Sequence, residues 1–219
     1  MKIPGPVAKR LALYHRCVTS MLSDGKDITS SHELGERLIL KPSQIRKDLS
    51  YFGEFGKRGT GYDLQGLKSS LETVLSINKS WRVGIVGAGN IGMALANHRE
   101  FFQEGYEVVA LFDRNKSKIG KKIGEREIPV YSIEELTQTV KTLSIDIGVI
   151  AVPSSQAREV ADLLIGAGVK GILNFAPVKL HIENVELEDV DLTVSFKSLT
   201  YKIGEKIFGR KRENSKEDS

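Results

Sequence analysis

No apolar run in the sequence approaches the roughly 20 residues that a membrane-spanning helix requires, and residues 1–10 lack the charged-then-apolar order of a signal peptide. The single cysteine, Cys17, excludes an internal disulfide and falls short of a zinc site. These absences predict a cytoplasmic protein in a reducing compartment, with no bound metal. Cys17 itself reads as a small buried apolar residue on the first helix, with a redox thiol as the alternative. Histidine is scarce, at four residues, which narrows the choice of proton-transfer groups.

The composition is otherwise that of a globular protein, 40% hydrophobic and 27% charged, and 219 residues leave room for two domains. The net charge of +4 is unevenly placed. Residues 1–80 hold 13 Lys and Arg against 8 Asp and Glu, and the remainder holds 19 against 20, so the whole excess sits in the first third. Such asymmetry points to a polyanionic partner for the N-terminal segment.

Residues 7–22 set Val7, Leu11, Tyr14, Val18, Met21 and Leu22 at helical spacing, and Asp24-Gly25 follows as a stop signal. Ser30-Ser31-His32-Glu33 suits a capping box at the start of a second helix marked by Leu34 and Leu38, and Lys41-Pro42-Ser43 opens a third. Two short helices joined by a brief turn predict a helix-turn-helix. On the third helix Ile45 and Leu49 share one face, which leaves Ser43 and Lys47 opposite and Gln44 and Arg46 on the flanks. These are the residue types that bond to base edges and phosphates. Residues 51–62 place four glycines around two cations, which predicts a β-hairpin wing with Lys57, Arg58 and Gly59 at its tip. A purely structural bundle with a solvated charged face is the alternative. Residues 64–77 read as a linking helix, with 78–80 as the boundary.

A new pattern begins at Trp81-Arg82-Val83-Gly84-Ile85-Val86, a short β-rich run leading into Gly87-Ala88-Gly89-Asn90-Ile91-Gly92 and then into helical residues 93–102. This is GxGxxG between a strand and a helix, the context that gives it meaning. Gly87 permits a sharp turn, Gly89 lets the backbone approach a pyrophosphate, and Gly92 lets the helix pack close to the strand. A second strand over 106–112 ends at Asp113, 21 residues past Gly92, where a carboxylate reaches the adenosine ribose hydroxyls. That favours NAD(H) over NADP(H), although the adjacent Arg114 keeps NADP(H) open. Residues 145–152 and 171–175 read as further strands of a parallel sheet. Their loops, with Val152, Pro153, Asn174 and Phe175, are expected to line the nicotinamide side.

A dehydrogenase needs a proton donor or acceptor beside its substrate carbon. His15 and His32 fall in the N-terminal domain, leaving His181 and His98, the latter six residues past the glycine-rich loop on its helix. His98 serves either proton transfer or sensing and packing. No stretch of domain length remains for a substrate domain, so no catalytic residue is assigned.

Lys9-Arg10-Leu11-Ala12-Leu13-Tyr14-His15-Arg16, Ser43-Gln44-Ile45-Arg46-Lys47-Asp48-Leu49-Ser50-Tyr51-Phe52-Gly53, Lys57-Arg58-Gly59-Thr60-Gly61-Tyr62, residues 87–92 and Lys170-Gly171-Ile172-Leu173-Asn174-Phe175-Ala176-Pro177 together closely resemble the Rex family of bacterial redox-sensing repressors, over nearly the whole chain. The resemblance implies an α/β protein: a winged-helix domain over 1–79, a Rossmann-like parallel-sheet domain over 80–195, a domain-swapped helix over 196–209 and a charged disordered tail over 210–219. It implies NADH and NAD+ as cofactors and palindromic operator double-stranded DNA as partner, bound by a homodimer that lets go when NADH binds. It further implies that a last helix, around 198–208, is exchanged between subunits; periodicity adds only that Leu199, Ile203, Ile207 and Phe208 share a face. Arg16 and Asp191 match a switching charge pair of the family, while His98 stands where a Tyr is common.

Two other readings stay open on the residues alone. One is a small NAD-dependent oxidoreductase fused to a basic module. The other is a regulatory nucleotide-binding module for another protein or for coenzyme A, against which the spacing of Asp113 argues.

Overall fold

The computed structural model describes residues 3–52 and 61–206. The chain forms two compact units, Met1–Ser80 and Trp81–Ser219. The first contains α1 (Gly5–Ser23), β1 (Ile28–Thr29), α2 (Ser31–Leu38), α3 (Pro42–Leu49), β2 (Tyr62–Asp63) and α4 (Leu64–Leu75). Val7, Leu11, Tyr14, Val18 and Met21 recur at helical spacing on α1 and pack with Leu34, Ile45 and Leu49 and with Leu64, Leu67 and Leu71 of α4. Between α2 and α3 the chain turns through Ile39 in a left-handed conformation, φ 55°, giving a helix-turn-helix. β1 and β2 pair antiparallel, Thr29 opposite Tyr62. Residues 53–60, with the expected wing tip at Lys57, Arg58 and Gly59, lie outside the described residues.

Only half of the expected capping box on α2 forms. Ser30 Oγ accepts from Glu33 N at 3.1 Å. The Glu33 carboxylate does not return to the Ser30 amide, because it accepts from Thr29 Oγ1 at 3.0 Å and pairs with Lys26. A cation is a stronger partner for a carboxylate than a neutral amide.

The second unit contains β3 (Trp81–Val86), α5 (Asn90–Ala96), α6 (Arg99–Gln103), β4 (Tyr106–Asp113), β5 (Lys122–Ile123), β6 (Ile128–Ser132), α7 (Leu136–Thr142), β7 (Ile147–Ile150), α8 (Ser154–Ala167), β8 (Gly171–Asn174), β9 (Glu186–Asp189) and α9 (Leu192–Gly204). Its seven strands run in the order β5-β6-β4-β3-β7-β8-β9, parallel except for β5. The apolar runs of the central strands follow from burial on both faces. Leu136, Val140, Val160 and Leu164 of α7 and α8 pack with Ala110, Phe112 and Ile150, whereas Leu95 and Ala96 of α5 pack with Ile85, Val108 and Val149. The chain leaves β3 for β4 on one side and returns to β7 on the other. This reversal is the switch point at which an open parallel sheet binds ligands.

Three further local features depart from the sequence reading. The helix expected over 93–102 is broken into α5 and α6, because Asn97 closes α5 by donating Nδ2 to the Met93 carbonyl at 2.8 Å. His98 therefore lies beyond the nucleotide helix rather than on it. The edge strand β9 carries Glu-Leu-Glu-Asp, whose charges gave no strand signal. α9 begins at Leu192, six residues before Ser198, because the Asp191 carboxylate accepts from Val194 N at 3.0 Å and caps it. None of its described residues is buried; Leu192, Val194, Phe196, Leu199, Tyr201 and Ile203 are all exposed. Ile207, Phe208 and the 210–219 tail lie outside the described residues.

One buried carboxylate organises the first unit. Asp48, 1% exposed, accepts from Arg10 Nε at 2.6 Å and Nη2 at 2.8 Å, from Tyr14 OH at 2.7 Å and from Gln44 Nε2 at 2.8 Å, tying α3 to α1. Burial alone would raise the Asp48 pKa, but the hydrogen bonds from Arg10, Tyr14 and Gln44 outweigh it and hold the carboxyl below its ordinary value. Burial, then the bond to Asp48, pushes the Tyr14 phenol up. Since the folded pKa lies below the unfolded value of about 3.9, the stabilisation is present above that value and lost as pH falls through the folded pKa. Asp48→Ala, which strands its three donors, is expected to cost the first unit about 3 kcal/mol at neutral pH. It should also abolish the share of acid sensitivity that wild type shows below about pH 4. Urea unfolding followed by far-UV circular dichroism at neutral and acid pH measures both.

Candidate functional site

The second unit builds its site where β3 ends. Gly87 takes φ +105°, and its N–H donates to the Phe112 carbonyl at 2.8 Å, locking the turn to β4. A Cβ on Gly87 would run into the Ala151 carbonyl beyond β7, and one on Gly92 into the Gly87 carbonyl, so the turn and the first turn of α5 nest backbone against backbone. Around Gly89 the space is open, as a pyrophosphate requires. Asn90 and Ile91 begin α5, and Ala88 is buried.

The end of β4 is fixed to the same turn. Asp113 Oδ2 accepts from Ala88 N at 3.0 Å and from Lys118 Nζ at 3.1 Å, and Oδ1 accepts from Asn115 N at 2.8 Å. Burial raises the Asp113 pKa, but these bonds prevail and keep the carboxyl ionised below its usual range. A carboxylate offers roughly four acceptor positions, so little capacity remains beyond a ribose hydroxyl. A cavity of about 460 Å³ opens here, lined by Gly87, Gly89, Asp113, Arg114, Val152 and Pro153 among others. Lys118 and Gln156, which also line it, were not singled out in the sequence, where neither stands out from surface polar residues. Arg114 extends its guanidinium to Glu159 of α8 at 2.5 Å, and that hydrogen bond raises its pKa.

The remaining expected site residues lie elsewhere. Asn174 and Phe175 do not line this cavity. Asn174 is buried with both ends of its amide engaged: Nδ2 donates to Val178 O at 2.8 Å and to Asp189 Oδ1 at 2.9 Å, and Oδ1 accepts from Ala176 N at 3.0 Å. Phe175 packs, half-buried, with the cluster around Val108 and Val149. His98 is exposed and stacked on Phe101 at 4.5 Å between ring centres, in a separate cavity of about 120 Å³ shared with Asn97, Arg99, Glu125 and Arg126. Asp191 caps α9, and Arg16 is exposed on α1 of the first unit. No cluster of three or more His, Cys, Asp or Glu suited to a metal occurs among the described residues.

In the first unit, α3 exposes Ser43, Arg46 and Lys47. Gln44 is half-buried because its amide serves Asp48, and Arg46 Nη1 donates to Ser31 Oγ at 2.9 Å, which orients it toward the start of α2. Among the described residues, no helix is long and apolar enough to cross a membrane.

Comparison with known proteins agrees with this division. A family profile described as CoA binding domain matches residues 78–178, and a profile for a DNA-binding protein N-terminus matches residues 2–50. The redox-sensing transcriptional repressor Rex of Thermosipho africanus is 48% identical over 202 residues, covering 92% of this chain and 96% of that protein. Redox-sensing transcriptional repressor Rex 1 of Thermotoga maritima is also 48% identical with the same coverage. Among solved structures, RSP in complex with β-NAD+ and operator DNA superposes with a TM-score of 0.90 at 35% identity, covering 98% of each chain. RSP in complex with β-NADH gives 0.86 at 34% identity, covering 96% of this chain and 99% of that one.

The two glycines of the turn separate packing from ligand space. Gly87→Ala should cost the second unit about 2 kcal/mol, through a left-handed backbone and a clash with Ala151. Gly89→Ala, whose Cβ meets nothing, should stay within about 0.5 kcal/mol of wild type while closing the space beside the turn to a pyrophosphate. Fluorescence of Trp81, the sole tryptophan of the chain and part of β3, follows both in urea.

Proposed function

The chain belongs to the Rex family of redox-sensing transcriptional repressors, and from that premise we propose that it is a repressor that binds operator DNA and leaves it when NADH occupies the second unit. Its cofactors are NADH and NAD+, bound as signals. The observation that carries this reading is the Asp113 carboxylate, held ionised beside a glycine turn with open space at Gly89. It suits a ribose hydroxyl and repels a 2′-phosphate. A role as signal rather than reactant is supported by the family, whose members are named transcriptional repressors.

In this reading residues 1–79 bind DNA and 80–195 bind the dinucleotide. The turn of Gly87, Ala88, Gly89, Asn90, Ile91 and Gly92 frames the pyrophosphate site, which opens at Gly89; Asp113 holds the adenosine ribose with Arg114 at its edge, and Val152, Pro153 and Phe175 border the nicotinamide side. Ser43, Arg46 and Lys47, with Lys57, Arg58 and Gly59, are the candidate DNA-contacting residues, while Gln44 seats α3 through Asp48. The chain acts as a homodimer: the exposed apolar residues of α9 support its packing on a second copy. Arg16, His98 and Asp191 are the candidate switch residues. NAD+ and NADH differ by one charge and in ring planarity, and each shifts the equilibrium only by its differential affinity for the two states.

The test is to titrate a palindromic operator fragment with the protein while varying NADH and NAD+ separately. NADH should weaken operator binding and NAD+ should not; operator affinity indifferent to NADH would overturn the reading. Lys47→Ala should weaken operator binding and lower the salt slope by about 1. Asp113→Ala should weaken NADH binding by about tenfold, the worth of a charge-assisted hydrogen bond, as read by calorimetric titration.

A further inference from the structure

Asn174 occupies a junction that its burial and bonding make unusual. It is the last residue of β8, 1% exposed, and opposite Asp189 in the β8–β9 register. Its side chain holds the following loop through Val178 O and Ala176 N, at 2.8 and 3.0 Å. The same amide nitrogen reaches Asp189 Oδ1 at 2.9 Å, and the Asn174 carbonyl accepts from Val190 N at 2.8 Å. Two residues beyond Asp189, Asp191 caps α9. On the other side, Phe175 N donates to the Ile150 carbonyl at 2.9 Å, at the end of β7, and Val152 and Pro153 just beyond line the nucleotide cavity. Two hydrogen-bonded junctions, Phe175 to Ile150 and Asn174 to Asp189, joined by short stretches of main chain, thus lead from the cavity wall through the end of β7 to the start of α9.

Since no described residue of α9 is buried within its own chain, the direction of α9 depends on its N-terminal junction. We propose that Asn174 is a positioning residue rather than a ligand contact, and that its bond to Asp189 transmits the state of the nucleotide-side loop to α9. The proposal rests on the reading of the chain as an NADH-gated repressor. A contact of this kind carries coupling when two sites bias the same two-state element. Closing the loop alone would need only the bonds to Val178 and Ala176. The bond to Asp189 adds nothing to the loop; it adds a side-chain tie to β9 beside the main-chain bond from Val190 N.

Asp189 is exposed and lies outside the cavity, so its variants separate transmission from binding. Asp189→Ala deletes the side-chain link and leaves in place both loop bonds of Asn174 and the main-chain bond from Val190 N. Asp189→Asn keeps an oxygen that accepts from Asn174. The measurement, on the full chain, is the factor by which saturating NADH lowers operator affinity, together with the NADH affinity of the DNA-free protein. For Asp189→Ala the release factor should fall about fivefold, while NADH affinity stays within about twofold of wild type. Asp189→Asn should restore the release factor to within about twofold of wild type. An unchanged factor in Asp189→Ala, an equal loss in Asp189→Asn, or a parallel loss of NADH affinity would each overturn the proposal. No NADH-dependent release in wild type would overturn instead the repressor reading beneath it.

Discussion

At the end of β3 the main chain turns against itself so closely that neither Gly87 nor Gly92 has room for a Cβ, and the ligand chemistry of the second unit depends on this nesting. It brings the start of α5 onto the strand, leaves Gly89 facing open space, and places Ala88 N where Asp113 can accept from it. Asp113 is thereby fixed by the turn it helps to hold, and its negative charge is secured by hydrogen bonds rather than by exposure. Because the strand order reverses at β3, the same point also receives the ends of β4 and β7. A dinucleotide laid across this switch point touches both halves of the sheet at once.

The first unit solves a different problem, that of holding a short helix firmly against its neighbour. α3 has eight residues and a small apolar face, Ile45 and Leu49. The Asp48 network supplies the rest, joining α3 to α1 through a bidentate Arg10 and a buried phenol. Gln44 is drawn inward by that network, which leaves Ser43, Arg46 and Lys47 as the exposed polar residues of the helix. The presentation of these three residues therefore depends on a buried charge.

The parts that local spacing encodes were legible in the sequence. The glycine turn, the distance to Asp113, the apolar strands and the helices of the first unit all follow from patterns within about 20 residues, the span of a single βαβ half. What escaped depends on partners distant in sequence or on single polar bonds. Asp48 finds Arg10 38 residues away, so nothing near α3 announces its burial. His98 leaves the nucleotide helix because one amide of Asn97 ends α5 early. β9 is an edge strand rich in acids, and the early start of α9 is set by Asp191, a residue whose capping geometry appears only once the chain is folded. Asn174 was read as a lining residue from its place after a strand, yet its amide is spent on its own loop and on Asp189.

If the nucleotide is a signal, its influence on DNA must be matched by an equal influence of DNA on the nucleotide, since binding free energies are reciprocal. A catalytic site carried beside an independent DNA-binding module would show no such exchange. The most direct measurement is the NADH affinity of the wild-type protein, free and saturated with operator, at one salt concentration. The account predicts that operator weakens NADH binding by the factor by which NADH weakens operator binding. An NADH affinity that does not change when operator is bound would contradict it.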